Sequence, residues 1–306
     1  MSQTLPENNT NINDWIAQQA SRADQCLQAM LPAADCEPVR LHEAMRWASL
    51  GAGKRVRACM VYAAGHACQP APESTTQQAL DKAAAAVELI HAYSLIHDDL
   101  PCMDDDPMRR GKAATHVEFG QAMALLAGDA MQPLAFEWLS DMPIAPALVV
   151  QASKNLAQAI GSQGMAGGQA IDLQSTGLAL DEQALAAMHG KKTGSLLTAC
   201  AQLGAIIVGA GSAKRESLQI YSKAIGLAFQ VVDDVLDATV PSTQLGKTAG
   251  KDAAADKATY VSLLGVEQAT ALATELHRQA CEATKVFGTH GHYLRGLADF
   301  IVRRAY

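Results

Sequence analysis

The sequence has few aromatic residues and no excess of positive charge, and both shortages narrow what it can be. Aromatics make up 5% of 306 residues while apolar residues reach 49%, so the chain must build its core from small aliphatic side chains. That composition, with recurring alanine runs, favours packed helices over a β-sandwich. The formal net charge of −7 excludes a nucleic-acid partner held through phosphate contacts, which needs a basic face. An anionic ligand would have to be met by local cations or by metal ions. The seven cysteines, at 26, 36, 59, 68, 102, 200 and 281, form no CxxC pair and are odd in number. They read as reduced, mostly buried thiols of a cytoplasmic protein. Met1 to Asn13 is polar and lacks the basic and apolar regions of a leader, so residues 1–13 are expected to be a flexible segment and 14–306 one domain. Leu203 to Gly211 is apolar but about half the length that crosses a bilayer, so no membrane association is expected.

What is present is helical periodicity, punctuated by proline and glycine. The pattern predicts helices over Asp14–Leu31, Arg40–Leu50, Val56–His66 and Thr75–Leu100. The last carries Leu80, Val87, Ile90, Leu95 and Ile96 towards a core and ends in acid. Beyond a loop from Pro101 to Gly111, helices are predicted over Val117–Trp138, Ala147–Gly168, Asp181–His189, Thr193–Val208 and Glu216–Thr239, with two more after a polar loop that runs to Lys257. The expected architecture is one all-α domain.

Two acidic clusters each close a long apolar helix. The first is Asp98-Asp99-Leu100-Pro101-Cys102-Met103-Asp104-Asp105-Asp106. Carboxylates at a helix C-terminus oppose its dipole unless a positive charge sits with them. The second, Asp233-Asp234-Val235-Leu236-Asp237, lies in an apolar stretch, with Asp233 and Asp237 one turn apart and Asp234 about 100° round. Carboxylates gathered there lose hydration and repel one another. Hard oxygen donors of this kind suit Mg²⁺, which bridges carboxylates to phosphate oxygens. A solvated acidic loop is the bland reading of either cluster alone, and finding two shifts the balance to a shared metal and diphosphate site.

Basic residues suggest a second anion site. Lys54 and Arg57 are spaced i, i+3 after Gly51-Ala52-Gly53, at a predicted helix start. This is no P-loop, because the glycine spacing and the Ser/Thr after lysine are missing. Arg109-Arg110 follow the first acidic cluster closely enough to bind phosphate oxygens. His91 lies two turns before Asp98, nearly on its face. Lys192, Lys247 and Lys257 would be ordinary surface lysines without the aspartates.

Together these residues resemble the trans-isoprenyl diphosphate synthase family. Ile90-His91-Ala92-Tyr93-Ser94-Leu95-Ile96-His97-Asp98-Asp99, continuing to Arg109-Arg110-Gly111, is similar to that family's first aspartate-rich motif. Gly226 to Gln230 with Asp233-Asp234 and Asp237 is similar to its second. Gly53 to Arg57, Gly167-Gly168-Gln169 with Asp172, Lys192-Thr193-Gly194 and Leu245-Gly246-Lys247 fall in family order, so the resemblance spans about residue 40 to the C-terminus. Ala58, Ala52 and Cys102 depart from the usual pattern without removing a charged ligand.

The resemblance, closest to bacterial farnesyl diphosphate synthases, implies an all-α isoprenoid synthase fold around a central cavity, a homodimer and three Mg²⁺ ions. It implies metal binding by Asp98, Asp99, Asp104, Asp233 and Asp237. Arg109, Lys192, Lys247 and Lys257 would hold an allylic diphosphate (dimethylallyl or geranyl), and Lys54, Arg57, His91 and Arg110 isopentenyl diphosphate. Thr193 and Gln230 would line the place where an allylic cation develops. Catalysis would then rest on Asp98, Asp104, Lys192, Thr193, Gln230 and Asp233, with no side-chain nucleophile. Tyr93, about 7.5 Å below Asp98 along the helix, would limit the product to fifteen carbons, although the helical wheel sets it about 140° away. A geranylgeranyl diphosphate synthase and a non-catalytic synthase subunit are the alternatives. A terpene cyclase is disfavoured, since it needs no second diphosphate site.

Overall fold

The structure is a computed structural model, and it describes residues 11–51, 53–178, 180–240 and 258–303. Helices dominate: α1 (Ile12–Met30), α2 (Val39–Ser49), α3 (Val56–Cys68), α4 (Ser74–Asp98), α5 (Thr115–Phe119), α6 (Gln121–Ser140) and α7 (Pro146–Ile160). They continue with α8 (Met165–Gln174), α9 (Glu182–His189), α10 (Ser195–Ile207), α11 (Ser212–Thr239), α12 (Tyr260–Ala283) and α13 (His292–Val302). A π-helical turn (Gly190–Gly194) precedes α10, and a 3₁₀ segment (Thr284–Gly291) joins α12 to α13.

The expected all-α architecture holds with one local addition. The loop after α4 carries β1 (Met108–Arg109) and β2 (Lys112–Ala113), paired antiparallel with Met108 opposite Ala113. Arg110 and Gly111 join them with φ of 53° and 76°, the left-handed pair that a two-residue hairpin requires.

Two predicted helices are each divided. Gly120, at φ 88°, separates α5 from α6. The expected helix over Ala147–Gly168 breaks between Gly161 and Gly164, where a Cβ on Gly164 would lie 2.0 Å from the Ala159 carbonyl. Apolar periodicity runs through both breaks, so the pattern conceals them. At the start of the chain, α1 begins at Ile12 with the Asn11 side chain accepting from the Asn13 N–H, inside the segment expected to be flexible. The cysteines are free, but only Cys59 and Cys200 are buried and Cys36 and Cys102 are exposed, which corrects the expectation of mostly buried thiols.

The core is arranged about α10. From Leu196 to Ile207 only Thr198 escapes burial, because α3, α4, α7 and α11 pack around that helix. Its apolar run is therefore a core element, and among the described residues no helix is long and apolar enough to cross a membrane. Against α3 the fit is backbone to backbone, since a Cβ on Gly204 would lie 2.3 Å from the Val61 carbonyl oxygen and 2.7 Å from the Gly65 nitrogen. Forcing these helices apart costs about 1–3 kcal/mol. Gly204→Ala is expected to lower stability by that amount in chemical denaturation, and an unchanged midpoint would contradict this packing.

Candidate active site

The acidic end of α4 and the acidic stretch of α11 open onto one cavity of about 500 Å³. Asp98 and Asp233 line it together, with Arg57 from α3, His91 and Tyr93 from α4, and Lys192, Thr193 and Gln230. Apolar walls come from Met103, Met165, Leu173 and Phe229.

The first acidic cluster divides at its helix end. Asp98 faces the cavity, while Asp99, one residue and about 100° further round, is buried and paired with the Arg109 guanidinium. Asp99, Arg109 and Arg110 line a second, smaller cavity with Trp47 and Lys112. The loop folds back onto the helix, with the Asp104 N–H donating to the Asp98 carbonyl (2.9 Å) and the Asp106 N–H to that of Asp99 (3.2 Å). These donors satisfy carbonyls that a helix end leaves open, and the Asp104 carboxylate is brought near that of Asp98. Burial, together with Asp104 and Asp99 and against the pull of Lys192 and Arg109, pushes the Asp98 carboxyl up to about 6. Such a site is short of positive charge.

The second cluster also divides. Asp233 lines the cavity, whereas Asp234 is 6% exposed and its Oδ2 accepts the Tyr260 N–H at 2.7 Å. Asp234 thus holds the first residue of α12. Asp237, one turn beyond Asp233, is half-buried and is not part of the cavity wall.

Lys192 and Thr193 sit on the π turn, a widened backbone common at functional positions. The turn lies directly on α8, where a Cβ on Gly168 would come within 2.1 Å of the Lys192 nitrogen. Lys192 Nζ donates to Asp172 at 2.6 Å, and the Thr193 hydroxyl donates to Gln230 Oε1 at 2.7 Å. Both cavity-facing residues are therefore oriented by neighbours.

The basic residues spread over a wider area. Arg57 has a buried Nε without a partner, and burial lowers its pKa. His91 is held well below its ordinary pKa by burial and by Arg57, Arg110, Arg109 and Arg55, so its imidazole is neutral. Arg110 is exposed and leans towards Gly53, whose added Cβ would meet Arg110 Nη1 at 3.3 Å. Lys54 is exposed, outside the cavity wall, with Nζ 5.5 Å from the centroid of the Phe300 ring. Lys247 and Lys257 lie outside the described residues.

Two residues at the site, one in the cavity wall and one behind it, are not among the predicted site residues. Gln169 lines the cavity with both side-chain amide atoms buried and without partners, and Asp172 orients Lys192. Both occur in the Gly167-Gly168-Gln169 motif, but an uncharged glutamine gives no electrostatic signal in sequence. Among the described residues no three His, Cys, Asp or Glu side chains stand together closely enough to hold a metal ion alone. Carboxylates on opposite walls suit ions that keep waters and take the remaining ligands from a substrate phosphate.

A model of the polyprenyl synthetase family matches residues 38–287. The chain belongs to that family. It is 45% identical over 275 residues to the Arabidopsis thaliana "Heterodimeric geranylgeranyl pyrophosphate synthase large subunit 1, chloroplastic", covering 87% of this chain and 72% of that protein. It is 42% identical over 287 residues to a Bradyrhizobium diazoefficiens protein named "Probable farnesyl diphosphate synthase", covering 92% and 85%. The crystal structure of an FPP/GFPP synthase from Zymomonas mobilis superposes with a TM-score of 0.85 at 39% identity, over 95% of this chain and 99% of that one. The fold is accordingly the isoprenoid synthase fold, and the family chemistry is prenyl transfer between isoprenoid diphosphates.

Within this polyprenyl synthetase, Asp234 is set apart from the cavity acids by its bond to α12. Removing its carboxylate leaves a buried N–H unsatisfied, at a cost of about 1–3 kcal/mol. Asp234→Ala should lose that much stability in denaturant melts, and Asp234→Asn, which retains an acceptor oxygen, should lose less. Equal losses would contradict the anchoring role.

Proposed function

We propose that this polyprenyl synthetase condenses isopentenyl diphosphate head to tail with dimethylallyl diphosphate and then geranyl diphosphate, releasing farnesyl diphosphate. The observation that carries this reading is the shared cavity, with acids from both clusters and cations in its wall and a buried aromatic among them. A cyclase would need one diphosphate site, whereas the cations here divide between two cavities, Arg57 and Lys192 in the larger and Arg109 and Arg110 in the smaller.

Asp98, Asp99, Asp104, Asp233 and Asp237 are the proposed holders of three Mg²⁺ ions. The donor chemistry fits, since these are hard oxygens and Asp98 is held up at about 6 by burial and neighbouring carboxylates. Asp99 can join only by releasing Arg109. Bound Mg²⁺ supplies the charge that makes diphosphate a better leaving group. Lys192 and Arg109, with Lys247 and Lys257, hold the allylic diphosphate as its C–O bond breaks and the electron pair leaves with it. The Thr193 and Gln230 oxygens turn their negative ends to the developing allylic cation. Arg57, His91, Arg110 and Lys54 hold isopentenyl diphosphate so that its double bond forms the new carbon–carbon bond, and a proton then departs to the released diphosphate. The cavity walls exclude water from the cation.

The chain length of the product rests on Tyr93, which is 7% exposed, lines the cavity and meets His97 edge-on. A geranylgeranyl product is the second reading, supported by the name of the Arabidopsis relative. Exposed Leu125 and Leu126 on α6 and Val150 on the adjacent α7 support a homodimer, because bare apolar groups on neighbouring helices suit a self-complementary interface. The free thiols support a cytoplasmic setting.

Purified protein given Mg²⁺, isopentenyl diphosphate and dimethylallyl diphosphate should yield mainly farnesyl diphosphate by chromatography, and EDTA should stop turnover. Asp98→Ala should reduce kcat by about 100-fold or more, the scale of losing a charge-stabilising group. Absence of any condensation would overturn the enzymatic reading, and turnover would rule out a non-catalytic subunit. Tyr93→Ala should shift the product to twenty carbons or more, and an unchanged product spectrum would remove Tyr93 from that role.

A further inference from the structure

Arg55 lies between two residues proposed to bind a diphosphate, yet it is itself 3% exposed and lines neither cavity. Its backbone is left-handed, φ 46° and ψ 38°, immediately before α3. Few non-glycine residues occupy that region, so surrounding contacts must hold it there. They come from three helices. Arg55 Nε donates to Asp24 Oδ1 of α1 at 2.8 Å, and Nη1 to Glu88 Oε2 of α4 at 3.4 Å. Nη2 donates to the Ser49 carbonyl that ends α2 at 2.7 Å and to the Gly51 carbonyl at 3.4 Å.

Glu88 completes the arrangement. It is also 3% exposed, and its second oxygen, Oε1, accepts the Ala58 N–H at 3.0 Å. No side chain at the N-cap serves α3, so a carboxylate from another helix satisfies an N–H in its first turn. Ala58 follows Arg57, and Glu88 precedes His91 by three residues, one turn of α4. One carboxylate therefore connects the start of the helix that carries Arg57 with the helix that carries His91. It also offsets a gathering of like charge, since Arg110 is repelled by Arg55 and Arg57 and attracted by Glu88.

We infer that the buried Arg55–Glu88 pair, braced by Asp24, is the positioning element that holds Lys54, Arg57 and His91 in register for the isopentenyl diphosphate group. The inference rests on the proposed function and deepens it, because it makes the second diphosphate site depend on residues that do not touch substrate. Arg55 is held by partners within the protein, whereas Arg57, two residues on, lines the cavity. A purely structural ion pair would affect stability without favouring one substrate over the other.

The test is steady-state kinetics with each substrate varied in turn. Arg55→Lys keeps the charge but loses the planar fork that reaches three helices. It should raise KM for isopentenyl diphosphate about tenfold or more, the scale of a binding group displaced by about an ångström, while kcat and KM for geranyl diphosphate stay within about threefold. Glu88→Gln retains an acceptor for the Ala58 N–H and should raise the same KM less than Glu88→Ala does. Unchanged KM values in folded Arg55→Lys, or both KM values rising together, would overturn the inference. Should Arg55→Lys fail to fold, Asp24→Asn loosens the same guanidinium from a carboxylate that is 42% exposed. It should raise only the isopentenyl diphosphate KM, by about two- to threefold, half the tenfold effect or less in free-energy terms, and no rise overturns the inference. Wild-type turnover separates the two claims: turnover with unshifted variants removes only the positioning role, and a wild type without condensation activity removes the proposed function and this inference with it.

Discussion

The structure depends on assembling like charges around an apolar cavity, where repulsion between them is stronger than in water. Adjacent charged residues solve this by dividing their tasks. Asp98 faces the cavity while Asp99 pairs with Arg109; Asp233 faces the cavity while Asp234 binds the start of α12. On the basic side, Arg57 reaches the cavity wall while Arg55 is buried against Asp24 and Glu88. Helical geometry makes the division natural, since successive side chains point about 100° apart. One member of each set fixes the backbone, and a near neighbour is thereby presented at a fixed angle. Desolvation alone would make clusters of identical charge costly, and each internal partner removes one charge from that cost.

The same economy sets the backbone around the cavity. Lys192 can lie in the wall because Gly168 allows α8 to touch the π turn where a methyl group would be 2.1 Å from the Lys192 nitrogen. The turn then places Lys192 beside Asp172 and Thr193 beside Gln230. Two short hydrogen bonds therefore couple three separately folded segments, α8, the π turn and α11. A site whose side chains are oriented before substrate arrives spends less binding energy on ordering them.

Sequence alone made the long elements legible. The predicted α4, Thr75–Leu100, differs from the observed Ser74–Asp98 by two residues or fewer at each end, because its apolar face is long and uninterrupted. The predicted Ala147–Gly168 concealed a break, because the glycines at 161 and 164 interrupt the backbone without disturbing the apolar spacing. Charge exposed both acidic clusters, but it could not say which acid turns inward. That depends on where α4 ends and on α12 arriving beside Asp234, both consequences of tertiary packing. Arg55 stands in the Gly53 to Arg57 run with nothing in the sequence to single it out, and it is buried. Gln169 carried no charge to draw attention, and its importance is visible only once both amide atoms are found buried and unpaired.

Tyr93 shows how a residue can belong to a site that helical spacing would deny it. About 140° of rotation separates it from Asp98, but the cavity wraps around α4 and the ring enters its wall beside Leu173 and Phe229. Burial, followed by the nearby Asp98, pushes its hydroxyl up to about 12, so the side chain presents volume to the cavity and no charge. That separates two kinds of specificity in one cavity. In the proposed function the charged residues would select diphosphates through interactions that an uncharged analogue cannot replace. In the proposed function the aromatic would sort otherwise identical chains by length, and a single added methylene would change binding by only about 1–3 kcal/mol in an apolar pocket. Each prenyl transfer adds five carbons at once, so one buried ring faces a much larger volume difference than the pocket need resolve. The proposed function thus distributes the reaction over many charged groups, while it lets product length turn on one neutral side chain.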